Sequence, residues 1–150
     1  MTTYLILKLV HVLAAILAVG TNLTYFFWLS RTKADPAFGA HVLPSIRILD
    51  SRLATPAYVV LPITGVLMVL DSDLGFTTFW ILAAIVLYAT LGAAAGALFA
   101  PSLRRQVALA TAGGEPAAYA AAARRTTVTG IVTMLPAAAI LYLMVGKPTP

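Results

Sequence analysis

Four long apolar runs divide the chain, and nearly all of its charge falls between them. The first runs from about Tyr4 to Ser30, the second from about Leu53 to Leu70, the third from about Phe76 to Ala100 and the fourth from about Thr126 to Val145. A helix rises 1.5 Å per residue, so each run is long enough to cross a hydrocarbon core of about 30 Å. A backbone in lipid must satisfy its own polar groups, which favours helix in every run. The connecting segments are short or moderate. The pattern therefore predicts an all-α integral membrane domain over residues 1–150, a four-helix bundle of antiparallel up-down topology.

The joints are marked locally. Tyr25, Phe26, Phe27 and Trp28 form an aromatic belt at the far end of span one, before Arg31, Lys33, Asp35 and Pro36. Between Ala37 and Arg52, Phe38, Val42, Leu43, Ile46 and Leu49 alternate with His41, Arg47, Asp50 and Arg52, which predicts a short interfacial amphipathic piece with a break or first turn at Pro44. Pro56, Pro62 and Gly65 predict a kink in span two. Asp71 to Gly75 reads as a turn, and Gly113-Gly114 as a break in the Ser102–Arg125 loop. Glu115-Pro116 predicts a helix start whose helix runs into span four, and Lys147–Pro150 is a tail.

Composition sharpens the class. The chain of 150 residues is 61% hydrophobic and 10% charged, against roughly 25% charged in soluble domains. It has no cysteine, which excludes disulfides, thiolate zinc sites, iron–sulfur clusters and cysteine nucleophiles. A formal charge of +5 does not signal nucleic acid here, because the basic residues flank apolar runs. The first run is also longer than a signal core of about 7–15 residues, so it reads as a spanning helix. Eight of the ten basic residues, Arg31, Lys33, Arg47, Arg52, Arg104, Arg105, Arg124 and Arg125, follow spans one and three. The positive-inside rule then puts both long loops in the cytoplasm and both termini outside a bacterial inner membrane.

Chemistry is sparse. Lys8 and His11 share one face at the front of span one. Lys8 can snorkel to the outer headgroups. His11, roughly 10 Å deep, has less reach and is expected to face the bundle. Below it, Ala15, Ala18, Asn22 and Tyr25 continue one helical stripe, which permits close packing or a slot for a flat cofactor. His11 is thus either a packing residue bonded to a neighbouring helix, or a functional group that ligates haem iron, copper or zinc or relays protons. Five-coordinate haem needs no second protein ligand; a second ligand from Met68 or Met144 is conceivable, though methionine in a span is usually packing. Asn22, Tyr88 and Thr64 are expected as polar groups of the bundle interior. Gly92-Ala-Ala-Ala-Gly96 is a GxxxG helix-packing interface, serving either packing within the chain or dimerisation. Asp50 and Arg52 read as solvated groups at the entry of span two, so no acidic residue is expected within a span.

Lys8-Leu-Val-His11, Pro62-Ile-Thr-Gly65 and the Trp80…Tyr88…Pro101…Arg104-Arg105 run resemble the bacterial membrane proteins grouped as domain of unknown function 2269, over most of the chain. The K-x-x-H start is also similar to the opening of the four-span protoporphyrinogen oxidase family and of copper-resistance D-type membrane domains. In the oxidase family the matching histidine is implicated in haem binding, which would fall on His11. That family's lysine in span three has no counterpart, since Phe76 to Ala100 holds no lysine or histidine. The resemblance therefore implies haem binding at most, and not the oxidase activity.

These readings lead to a non-enzymatic membrane subunit or accessory protein, a homo-oligomer or part of a membrane complex in the lipid bilayer. The alternatives are a redox protein holding haem b on His11, and copper handling at the outer face.

Overall fold

The computed structural model describes residues 2–33 and 35–148. Its helices are α1 (Thr2–Thr32), α2 (Pro36–Leu49), α3 (Thr55–Leu70), α4 (Phe79–Ala94), α5 (Ala100–Thr111) and α6 (Pro116–Gly146). Four continuous rods are long and apolar enough to cross a membrane: Thr3–Thr32, Ala37–Leu70, Phe79–Thr111 and Pro116–Gly146. The expected four-helix membrane bundle is the architecture found. The last two tail residues lie outside the described residues.

The second and third rods each carry a π-helical segment, Asp50–Ala54 and Ala95–Phe99. Both have the same local cause. Pro56 and Pro101 follow each segment closely. A proline has no N–H to donate, and its ring strikes the carbonyl four residues back. The wider turn relieves that collision, with Thr55 donating to the Asp50 carbonyl and Ala100 to the Ala95 carbonyl, five residues back in each case. Helix therefore continues where the sequence suggested ends.

That continuation changes two expectations. The segment 37–52 is not an interfacial piece. It is helix from its Asp35 cap, where Oδ1 accepts from the Phe38 N–H at 3.0 Å, and it passes through Pro44 without a break. Its apolar face, Leu43 and Ile46, is buried in the core formed with α1, α5 and the start of α6 and not turned to a membrane surface. Similarly, the third rod continues as α5 past Ala100 into the expected loop. The chain turns only at 112–115, where Gly113 takes the left-handed φ of 64° that glycine tolerates best. Pro116 then opens α6 as expected. The Asp71–Thr78 turn is longer than expected, and α4 begins at Phe79 and not near Phe76.

The closest helix pairs are α1 with α3 and α4 with α6. Toward the basic loops, α2 packs on α5 and α5 on α6. The larger core sits there: Tyr25, Leu29, Leu43, Ile46, Leu103, Ala110, Tyr119 and Ala123. At the other end the α1–α3 seam buries Ala14, Ala18 and Ala57, with Tyr58, Val60 and Leu61 against them, and the α4–α6 pair buries Ile81, Ala84, Leu91, Ala137 and Leu143.

Candidate functional site

The polar groups of the membrane-spanning region converge on the seam between α1 and α3. The buried line of α1 is Ala14, Ala18, Thr21, Tyr25, Leu29 and Thr32. It is rotated slightly from the expected stripe. Ala18 and Tyr25 lie on it, while His11, Ala15 and Asn22 are half-buried along its edge. That edge faces α3.

His11 Nδ1 lies 2.8 Å from Thr64 Oγ1. The Thr64 hydroxyl also lies 2.8 Å from the Val60 carbonyl and 3.1 Å from that of Leu61, so its one proton is held by its own helix. The neutral His11 ring that fits this arrangement donates from Nδ1 and keeps its lone pair on Nε2. The ring rests on Gly65, where an added Cβ would stand 3.5 Å from His11 Cε1. The two segments singled out in the sequence, Lys8–His11 and Pro62–Gly65, thus meet at one point. Lys8 itself is exposed.

About three turns along, Asn22 donates from Nδ2 to the Tyr58 hydroxyl, and Tyr88 of α4 donates to the Tyr58 backbone carbonyl. Pro62 explains the second bond. It stands four residues after Tyr58 and cannot supply the N–H that would normally bond this carbonyl. In lipid an orphaned carbonyl needs another donor, and Tyr88 brings one from a different helix. The mid-span tyrosine thus has a structural partner, which Pro62 creates.

Asp50 ends this polar line. It stands in the π segment, half-buried, with its carboxylate in electrostatic reach of the Tyr25 and Tyr58 phenols. It stands within the continuous rod Ala37–Leu70, twenty residues before its end. Tyr25 is 2% exposed and its hydroxyl has no partner among the described residues. With Asn22, Thr126 and Thr133 it lines a cavity of about 20 Å³, the size of a single water.

Sequence reading missed Tyr58. The available signal was Pro62 itself, which marks the carbonyl four residues earlier as one that needs a partner.

Gly92 and Gly96 are exposed, and a Cβ added at either would meet nothing within 4 Å. Ala89, Ala93 and Ala97 beside them are exposed as well. Among the described residues, no other helix packs against Gly92 or Gly96.

As a ligand set the seam is thin. No group of three His, Cys, Asp or Glu able to hold a metal occurs among the described residues. His11 offers one nitrogen, at the rim of the helix pair.

Residues 5–148 match the family described as predicted integral membrane protein, DUF2269. No curated protein and no solved structure matches the chain.

Proposed function

The chain belongs to the DUF2269 family of integral membrane proteins, and on that footing we propose that it acts as a small non-enzymatic subunit that assembles in the bilayer. The observation that carries this reading is the open face of the third rod from Gly92, at the end of α4, to Gly96, in the π segment that follows. Two glycines and three alanines make a flat strip on which another helix backbone can approach closely, and no helix of this chain occupies it. Lipid tails are as apolar as leucine, so such strips, and not apolar bulk, are what bring helices together in a membrane.

The orientation that suits the reading has both termini outside the cytoplasmic membrane. Its support is the gathering of the basic residues of α2, α5 and the start of α6 at one end of the bundle. A reporter fused in the turn at 112–115 is expected to signal from the cytoplasm, and an external signal overturns this orientation.

The test of the subunit reading is purification in a mild detergent with the particle mass measured by light scattering. The expected particle is larger than one chain, and Gly92→Leu with Gly96→Leu reduces it to a monomer. A clean wild-type monomer contradicts the reading.

One observation favours a second reading. Thr64 fixes the His11 ring so that Nε2 keeps a lone pair, the tautomer an axial haem ligand needs. Because His11 is only half-buried, haem b on it would lie against the rim of the α1–α3 pair, with the rest of its enclosure supplied by a neighbour. Haem reconstitution of the purified protein tests this. A Soret band that His11→Ala abolishes supports the reading, and no band, or a band that survives the substitution, ends it. Copper handling at the outer face gains no further ligand from the structure.

A further inference from the structure

One cleft belongs to neither the seam nor the glycine face. It opens between α5 and α6, has a volume of about 380 Å³, and is lined by Pro101, Ser102, Arg105, Ala118, Ala121, Ala122 and Arg125. Its floor is alanine and proline and its only charged lining groups are two arginines, one from each helix. No carboxylate lines it. Both arginines are exposed.

The position of the cleft along the rods is as telling as its lining. Pro101 follows the apolar stretch of the third rod, and Arg125 directly precedes that of the fourth. The two arginines therefore stand where hydrocarbon gives way to headgroups, in whichever direction the bundle is inserted. A phosphodiester sits at that depth in a bilayer. Arginine binds it through a planar fork of N–H donors, with charge and geometry both matched. The alanine floor offers nothing to a hydrated anion but fits the glycerol and the first methylenes of an acyl chain. Basic pockets between spanning helices are a recurring place for anionic headgroups.

We propose that the α5–α6 cleft binds an anionic phospholipid, its phosphodiester held between Arg105 and Arg125 and its glycerol and upper chain laid on Ala118, Ala121 and Ala122.

The test uses the full chain, delipidated in neutral detergent, with short-chain phosphatidylglycerol, short-chain phosphatidylcholine and inorganic phosphate as probes and lipid adducts counted by native mass spectrometry. Phosphatidylglycerol is expected to bind at least tenfold more tightly than phosphatidylcholine, and inorganic phosphate not to bind. Arg105→Gln with Arg125→Gln should lose at least tenfold of the phosphatidylglycerol affinity, while Arg104→Gln with Arg124→Gln, which removes equal charge outside the cleft, should lose less than twofold. Ala121→Leu fills the floor with both arginines intact and should also weaken the lipid. Equal losses from the two arginine pairs would reduce the effect to general charge attraction and overturn the site. Binding of inorganic phosphate as tight as that of the lipid, or no effect of Ala121→Leu, would overturn the lipid as its occupant.

Discussion

The two ends of this bundle are held together by different means. At the basic end, large side chains interdigitate: Leu43 and Tyr119 are almost wholly enclosed, with Leu29, Ile46 and Leu103 around them. Polar groups there close the gaps. Tyr119 donates to the Thr32 carbonyl at 2.6 Å, and Gln106 Nε2 reaches Thr32 Oγ1 at 3.5 Å. At the opposite end α1 meets α3 on Ala14, Ala18 and Ala57, while Leu5, Leu9, Leu13 and Ile16 of α1 face outward. There the cross-helix side-chain bonds are those of His11 with Thr64, Asn22 with Tyr58, and Tyr88 with the Tyr58 carbonyl. Lys147 over the Trp80 ring, 5.6 Å from its centroid, pins α6 to the start of α4.

The two kinds of packing are those expected of two solvents. Where water surrounds the helices, apolar surface is driven inward and a packed core forms. Where lipid surrounds them there is no such drive, so helices join by close approach of small residues and by polar bonds. The basic end has the packing of the first regime and the α1–α3 seam that of the second.

Opposite substitutions should therefore damage opposite ends. Leu43→Ala is expected to have the largest effect, a loss of about 2–5 kcal/mol from the cavity and lost burial. The same truncation at Leu13, which faces outward, should leave the melting temperature in lipid nanodiscs almost unchanged. Equal losses at the two positions would erase the distinction. Enlargement reverses the order. Ala18→Leu should cost about 1–3 kcal/mol by forcing α1 off α3, visible as a lowered melting temperature.

Gly39→Ala probes the packed end from the other side. The added Cβ would stand 2.5 Å from the Tyr119 hydroxyl. That hydroxyl caps the last carbonyl of α1, so it cannot move freely. A loss of about 1–3 kcal/mol is expected. Tyr119→Phe should relieve the clash and leave the Thr32 carbonyl unpaired, so the double variant should lose less than the sum of the two single ones. Strict additivity would show that Gly39 and Tyr119 do not meet.

Much of this was legible beforehand. The apolar runs locate all four rods, because hydrocarbon demands length and composition together. The Glu115-Pro116 start was legible from its own chemistry. The bundle at the basic end was not. Leu43 and Ile46, among apolar positions that alternate with charged ones, have the pattern of a membrane-surface segment, and only their burial against neighbouring helices distinguishes the two. Proline was also read too simply. Pro44 suggested a break or first turn, Pro56 a kink, and the third run an end near Ala100, yet helix continues through all three, with a widened turn ahead of Pro56 and Pro101. In the seam, His11, Asn22, Thr64 and Tyr88 stood out as polar residues in apolar runs. Their pairing did not, because Tyr88 bonds a backbone carbonyl that only the missing N–H of Pro62 makes available. Asp50 was hidden by its basic neighbours, Arg47 and Arg52.

The smallest expected effect gives the most direct test of the claim that the thinly packed end rests on polar bonds between helices. Tyr88→Phe, Pro62→Ala and the double variant would be compared by unfolding midpoint in the same detergent. In the presence of Pro62, loss of the Tyr88 hydroxyl should cost about 0.6–2 kcal/mol, the usual range for a bond between membrane helices. With alanine at position 62, the restored N–H supplies the Tyr58 carbonyl, and Tyr88→Phe should then cost almost nothing. Equal losses in the two backgrounds would contradict the account.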